Sequence, residues 1–141
     1  KPVISHILDN YDDRVEVVIA VGYESEQIKS YLDTYCVVGG KQIPIWNGKK
    51  ISRRYVWSNF EEHDIVNQFS SNEDRYFLHN AFAFYTKQTL TEYPFDENLS
   101  GKEDRYWVND RIEQGMDSYY DSVTTCHHHY TDNGATWKGI G

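Results

Sequence analysis

The sequence predicts an α/β fold, a single domain in which a mixed sheet is flanked by helices. Segments with the β-branched and apolar content of strands alternate with segments whose apolar residues recur at helical spacing. Two of the strand-like segments are apolar on both faces, which is typical of strands in a sheet covered by helices. At 141 residues the chain is long enough for one hydrophobic core, and we treat residues 1–141 as one domain.

The first 35 residues are predicted to form a helix, a buried strand and a second helix. Apolar residues at helical spacing indicate the first helix at residues 2–11. Residues 15–21 are nearly continuous in Val and Ile, which predicts a strand buried on both faces. Residues 24–35 place their apolar side chains on one helical stripe, which predicts the second helix.

A β-hairpin is predicted next. Asn47-Gly48 is the strongest short hairpin signal, because both residues tolerate the positive φ angles that a tight turn requires. The predicted strands are residues 42–46 and 49–55.

Three further segments of the middle region receive an interpretation from the sequence. Gly39-Gly40 lacks both the spacing and the following helix of a phosphate-binding loop, so we interpret it as a flexible bend. Residues 60–69 are interpreted as a short helix over the sheet. Residues 75–85 are apolar on both faces and predict a central strand, interrupted by a polar pair.

That polar pair is His79-Asn80. A polar pair in a buried strand marks a place where the strand faces a ligand, or else a histidine hydrogen-bonded within the core. Thr86 is then predicted to cap a short helix that ends at Leu90.

Two adjacent carboxylates, Glu103 and Asp104, follow a Ser-Gly turn in the first turn of a predicted helix. Acidic side chains are favourable there because the N-terminus is the positive end of the helix dipole. Gly115 predicts the end of the helix. A well-signalled helix start with solvated acids and a carboxylate site are both consistent with this pattern.

A last strand is predicted at residues 118–125, followed by Cys126 and three consecutive histidines. Side chains alternate along a strand, so His127 and His129 should lie on one face and His128 on the other. An exposed histidine cluster and a metal ligand remain open as alternatives.

Composition excludes several classes of partner. The formal net charge of -8 argues against nucleic acid or an anionic membrane surface, since phosphate binding requires clustered Lys and Arg. Apolar runs stay well short of the roughly 20 residues that a membrane-spanning helix needs. Cys36 and Cys126 are too few for a disulfide framework, and we expect reduced thiols in a cytoplasmic protein.

The stretch from residue 94 to residue 115 resembles the acceptor-side motif of family 2, GT-A-type glycosyltransferases. That motif has a Pro-Phe-Asp-Glu-x-Leu lead-in, a Gly-x-Glu-Asp core, an Arg on the following helix, then a Gly and a strand that ends in His. The matching positions here are residues 94–99, Gly101, Glu103, Asp104, Arg105 or Arg111, Gly115 and His127, His128 and His129.

This resemblance, which spans about residues 38–141, implies a GT-A-like, Rossmann-related sheet and sugar transfer in surface-polysaccharide assembly. It implies Asp104 as the base, Glu103 as a residue that orients acceptor hydroxyls, and Asn80 beneath the donor sugar. It also implies a divalent ion, manganese or magnesium, held by His127 or His128, although the chain has no convincing Asp-x-Asp motif. The implied partners are a nucleotide-sugar donor and a glycan acceptor.

Aromatic residues are numerous, and most are expected in the core. Trp107 and Trp137 are our candidates for a sugar subsite, because pockets are commonly lined by aromatic side chains.

Residues 1–35 resemble an internal piece of sugar-1-phosphate nucleotidyltransferases. The matching runs are Lys1-Pro2-Val3-Ile4, residues 18–23 and Glu26-Gln27-Ile28. The Gly-rich loop of that family would precede Lys1, so an incomplete or truncated version of the fold is expected. A nucleotidyltransferase fragment and a non-catalytic carbohydrate-binding or assembly domain therefore remain alternatives to a glycosyltransferase.

Overall fold

The computed structural model describes residues 25–46, 49–50, 60–71, 73–99 and 101–130. The helix predicted at residues 2–11 and the strand predicted at residues 15–21 lie outside these ranges, and so does Trp137. The structure therefore describes little of the segment that resembles nucleotidyltransferases.

The described chain contains three α-helices, seven strands and one 3-10 turn. In chain order these elements are α1 (Ser25–Leu32), β1 (Val37–Trp46), β2 (Lys49–Lys50), β3 (Ile65–Val66), β4 (Phe69–Ser70), β5 (Arg75–Tyr76), the 3-10 turn (Asn80–Phe82), β6 (Ala83–Phe84), α2 (Lys87–Glu92), α3 (Glu103–Glu113) and β7 (Ser118–Tyr130).

The main sheet is mixed, which confirms the α/β class. Its strands lie in the order β2-β1-β7-β3, and β6 also pairs with β1. The two long strands β1 and β7 run parallel, from Val37 opposite Ser118 to Trp46 opposite Tyr130. The other pairs in the sheet are antiparallel, and β4 and β5 form a separate two-stranded hairpin. No helix in the described ranges is long and apolar enough to cross a membrane.

Gly39 and Gly40 lie inside β1, so our interpretation of them as a flexible bend is wrong. A Cβ on Gly40 would lie 2.5 Å from two ring carbons of Phe82 and 3.1 Å from the carbonyl oxygen of Thr124. The register with β7 also shifts between Gly40 and Lys41. The glycine therefore lets the strand pass beneath an aromatic ring at an irregular point in the sheet.

The short helix predicted at residues 60–69 is also wrong, because this segment contains β3 and the first residue of β4. Asp64 explains the extended course. Its carboxylate accepts hydrogen bonds from the Tyr119 hydroxyl at 2.7 Å and from the backbone N–H of Ser122 at 2.9 Å. These bonds hold the segment alongside β7, where Ile65 pairs with Tyr120.

The single central strand predicted at residues 75–85 is wrong as well. The segment forms two short strands, β5 and β6, separated by the 3-10 turn. His79 causes the break, since its Nδ1 accepts a hydrogen bond from the backbone N–H of Ala81 at 3.2 Å and caps the turn. Five apolar residues of this segment are buried, which is why the pattern resembles a covered strand: Phe77, Leu78, Ala83, Phe84 and Tyr85.

Other sequence predictions are confirmed by the described elements. Helix α1 falls within residues 24–35. Of the predicted hairpin, the structure shows the antiparallel pairing of Trp46 with Lys49, and the rest of its second strand, residues 51–55, lies outside the described residues. Thr86 caps α2 by accepting a hydrogen bond from the Thr89 N–H. Helix α3 begins at Glu103, and Gly115 follows its end with φ of 90°.

The core lies between the main sheet and helices α2 and α3. Val37 and Val108 are fully buried in it, one from β1 and one from α3. A second, smaller cluster packs α1 against the sheet through Ile28, Val38 and Phe84. Cys36 and Cys126 are both free thiols.

Candidate functional site

The chain enters α3 through two consecutive residues with left-handed backbone. Gly101 has φ of 88° and Lys102 has φ of 63°. A Cβ on Gly101 would meet no heavy atom within 4 Å, so its positive φ and not the available space favours glycine. This turn places Glu103 and Asp104 in the first turn of the helix.

Asp104 is buried, with 8% of its surface exposed. Its Oδ2 accepts the backbone N–H of Asn80 at 2.8 Å, and its Oδ1 accepts the backbone N–H of Arg105 at 2.8 Å. Burial raises the pKa of Asp104 above its ordinary value, although the Asn80 hydrogen bond and the Arg105 charge oppose this shift. The carboxylate is thus fixed in orientation and has a raised proton affinity.

The structure brings Asn80 and Asp104 together from distant parts of the sequence. Asn80 opens the 3-10 turn, and its side-chain Oδ1 accepts a hydrogen bond from the Tyr85 hydroxyl. The ring of Tyr85 packs edge-on against Trp107 at 5.2 Å and against Phe95 at 5.7 Å between centroids. Two of the residues predicted as site residues therefore belong to one hydrogen-bonded network.

Glu103 lies next to Asp104 and is partly buried. Its Oε2 is buried and has no hydrogen-bond partner among the described residues. The negative charge of Glu103 further raises the pKa values of Asp104 and Tyr85. A carboxylate oxygen beside Asp104 is therefore buried without a hydrogen-bond partner in the described part of the chain.

Arg105 is committed to an internal ion pair. It is 5% exposed, and its Nη1 lies 2.8 Å from Oε1 of Glu73, a residue in the turn between β4 and β5. The guanidinium also lies 5.5 Å from the ring centroid of Phe77. These contacts connect α3 to the small hairpin, so this side chain has a structural role in addition to any contact with a substrate.

Trp107 lies in the core and not along an open subsite. Its surface is 4% exposed, and its indole Nε1 donates a hydrogen bond to the Tyr93 carbonyl oxygen at 2.6 Å. Arg111 is also buried, with its guanidinium 4.2 Å from the Tyr93 ring centroid and 5.6 Å from that of Trp107. Both residues are candidates for substrate binding from the sequence, and in the structure both contribute to the packing of α3.

The three histidines lie within β7, which continues to Tyr130, and not after the end of a strand as predicted. His127 and His129 are exposed while His128 is partly buried, which confirms the predicted alternation. Nδ1 of His128 lies 2.8 Å from Oε1 of Gln42 on the neighbouring strand. Burial lowers the pKa of His128, which favours the neutral imidazole.

These histidines do not form a metal site with other described residues. No three His, Cys, Asp or Glu side chains in the described ranges are grouped so that they could hold an ion. His127 and His128 lie on opposite faces of β7, so one ion cannot take both as ligands. The described donor set therefore does not fit a complete metal centre.

A small cavity lies beside His79, between the main sheet and the 3-10 turn. Gly39, Gly40, Phe82 and Tyr119 are among its lining residues, and its volume of about 10 Å³ leaves room for roughly one water molecule. Burial lowers the pKa of His79 to about 3. The cavity is too small for a sugar, and the hydrogen bond that His79 accepts from the Ala81 N–H fits the second of our alternatives, a hydrogen-bonded histidine.

Tyr85 is the residue of the network that the sequence did not reveal. Residues 81–85 read as an apolar run, in which a tyrosine is easily assigned to packing alone. A buried tyrosine hydroxyl requires a hydrogen-bond partner, however, and the nearby Asn80 was an identifiable acceptor.

Comparison with known proteins identifies no relative, since no protein-family model, no curated protein and no solved structure matches the chain. The interpretation of the site therefore depends on its residues and their geometry.

Proposed function

We propose that the chain is the acceptor-side part of a GT-A-type, family 2 glycosyltransferase. In this proposal it transfers a sugar from a nucleotide-sugar donor to a glycan acceptor in surface-polysaccharide assembly in the cytoplasm. The main support is the 2.8 Å hydrogen bond between the Asn80 backbone N–H and the Asp104 carboxylate. It joins the residue assigned to the donor sugar with the residue assigned as the base.

The chemistry of an inverting transfer matches the environment of Asp104. A carboxylate must accept the proton of the acceptor hydroxyl as the hydroxyl oxygen attacks the anomeric carbon. A base is more effective when its pKa lies nearer the working pH, and burial raises the pKa of Asp104 in that direction. Each carboxylate oxygen accepts one backbone N–H and retains a second lone pair for the hydroxyl proton.

Glu103 has a separate role in the proposal. The resemblance assigns Glu103 to orient a second hydroxyl of the acceptor. Its buried Oε2 has no hydrogen-bond partner within the described chain, and accepting that hydroxyl requires the side chains that cover it to move aside. Holding a reactant in the attacking orientation contributes to the rate by reducing the entropy lost at the transition state.

Departure of the nucleoside diphosphate requires positive charge, which a divalent manganese or magnesium ion supplies when bound. His127 or His128 is the ligand that the resemblance implies. Because the described side chains do not complete a metal centre, we assign no step of the reaction to the ion.

A non-catalytic carbohydrate-binding domain is the second candidate. One observation favours it, namely that both Asp104 oxygens already accept backbone hydrogen bonds, as the oxygens of a purely structural residue would. This candidate predicts that nucleotide sugars or glycans bind without turnover.

Turnover and binding, measured in parallel, test the proposal. The 141-residue chain is incubated with a panel of nucleotide sugars, manganese and oligosaccharide acceptors, and release of nucleoside diphosphate is followed. Binding of the same nucleotide sugars and of the oligosaccharides is measured by calorimetry. Acceptor-dependent release supports the glycosyltransferase, whereas binding without release supports the second candidate. If neither release nor binding is detected with any donor or oligosaccharide, both proposals fail.

A further inference from the structure

We propose that Tyr85 is a positioning residue for Asp104 and acts through Asn80. The Tyr85 hydroxyl holds the Asn80 side chain, and the Asn80 backbone N–H holds the Asp104 carboxylate. This inference depends on the proposed function, in which Asp104 accepts the proton of the acceptor hydroxyl.

We call the two hydrogen bonds that connect Tyr85 to Asp104 through Asn80 the relay. Its first link, the hydrogen bond from the Tyr85 hydroxyl to the Asn80 side chain, is rigid. Tyr85 is 9% exposed and belongs to the same core cluster as Phe95 and Trp107. Its ring contacts both of these aromatic rings edge-on, so its hydroxyl is delivered to a fixed point. A hydroxyl on a fixed ring restrains the Asn80 side chain more strongly than a mobile surface group would.

The second link depends on the orientation of one peptide group. Asn80 is the first residue of the 3-10 turn, and its backbone N–H points to Oδ2 of Asp104. His79 fixes this turn from one side by capping the Ala81 N–H. Tyr85 fixes it from the other side through the Asn80 amide. Removal of the Tyr85 hydroxyl therefore loosens the peptide group that stabilises the charged form of Asp104.

The charged and titratable groups near this network stay the same when only the hydroxyl is removed. Glu103 and Arg105 act on Asp104, and Cys36 and Glu103 act on Tyr85. Burial raises the pKa of Tyr85 well above its ordinary value, so the hydroxyl remains a hydrogen-bond donor at any pH at which transfer would be assayed. A change caused by Tyr85→Phe thus reports the lost hydrogen bond.

The pH dependence of kcat/KM tests the relay in the active protein. In Tyr85→Phe we expect the acidic limb to move upward by about one pH unit, the size expected when a hydrogen bond to a charged group is weakened. At a pH below that limb, kcat/KM should fall by about 10-fold while KM for the donor is unchanged. Tyr93→Phe is the matched control, because Tyr93 packs on the same cluster without contacting Asn80. An unchanged acidic limb in Tyr85→Phe would overturn the proposal.

A second readout does not depend on activity. The carboxyl carbon of Asp104, assigned by comparison with Asp104→Asn, is titrated by NMR in the wild type, in Tyr85→Phe, in Asn80→Ala and in the double variant. Both single variants should raise the midpoint, and the double variant should match Asn80→Ala because the hydroxyl acts through that residue. Additive shifts, or no shift in Tyr85→Phe, would contradict the relay. A wild type without turnover would refute the proposed function, while this titration would still decide the coupling.

Discussion

Substitution of Gly40 by alanine is expected to destabilise the protein, because the new methyl group has no space. Its carbon would lie 2.5 Å from both Cδ1 and Cε1 of Phe82 and 3.1 Å from the carbonyl oxygen of Thr124. Phe82 is the residue that must move, since the Thr124 oxygen is backbone within β7. Movement of an aromatic ring that packs on Phe84 resembles overpacking of a core, which costs about 1–3 kcal/mol.

The neighbouring glycine provides a matched control. A Cβ on Gly39 would meet only Cδ1 of Leu78 at 3.5 Å, an ordinary van der Waals contact. Gly39→Ala should therefore change the free energy of unfolding by less than about 1 kcal/mol, or increase it slightly through the loss of unfolded-state entropy. Both free energies are measured by urea denaturation followed by tryptophan fluorescence.

A compensating variant makes the test specific. Phe82→Leu removes the ring that the methyl group would meet, so Gly40→Ala should cost much less in that background than in the wild type. If Gly40→Ala and Gly39→Ala have equal stability, or if Phe82→Leu does not reduce the cost, the close approach of β1 to Phe82 is not what requires the glycine.

Two further predictions concern histidines. Because the pKa of His79 is lowered from 6.5 to about 3, the unfolded state binds a proton between these values that the folded state does not. Through this group, the free energy of unfolding should therefore fall by up to about 1.4 kcal/mol for each unit by which the pH falls within this range. His79→Asn can still cap the Ala81 N–H, and His127→Asn, at an exposed position, is the control. In urea denaturation at several pH values, the free energy of unfolding of His79→Asn should fall less steeply with pH than that of His127→Asn. Calorimetry should detect at most weak manganese binding, strengthened by a nucleoside diphosphate and diminished by His127→Ala or His128→Ala; tight binding without nucleotide that neither variant changes would place the site elsewhere.

Helix α3 was predictable because its signals are local. Gly101 before the first turn, acids at positions 103 and 104, and Gly115 after the last turn each indicate a helix boundary without reference to the rest of the chain. The cap of α2 by Thr86 was predictable for the same reason. Local chemistry of this kind acts over four or five residues, and the sequence displays it directly.

The error at residues 60–69 has a tertiary cause, whereas the error at residues 75–85 has a local one that the apolar pattern conceals. Asp64 extends its segment by bonding to groups on β7 that lie more than 50 residues further along the chain. His79 breaks the second segment by capping a turn, an event that the surrounding apolar pattern conceals. In both cases a single polar side chain overrode the periodicity of its neighbours.

The candidate site was predictable in part. The resemblance pointed to Asp104 and Asn80 separately as candidate residues, but only the fold shows that they are joined by a hydrogen bond. Trp107 was a candidate because aromatic side chains commonly line pockets, and Arg111 because the resemblance implies an Arg on the helix after the Glu-Asp pair. The same groups stack on each other beside Tyr93 in the core, and the spacing along α3 does not distinguish the two uses.

The rate of sugar transfer by Asp104→Asn, compared with Asp110→Asn, tests the central claim most directly. Both substitutions remove one carboxylate from α3, but Asp110 is exposed and Asp104 is the buried group bonded to Asn80. Loss of a general base should lower the rate by about 100-fold to 10,000-fold in Asp104→Asn, with folding retained by circular dichroism, and Asp110→Asn should match the wild type. Turnover near the wild-type rate by a folded Asp104→Asn protein would contradict the assignment of Asp104 as the base.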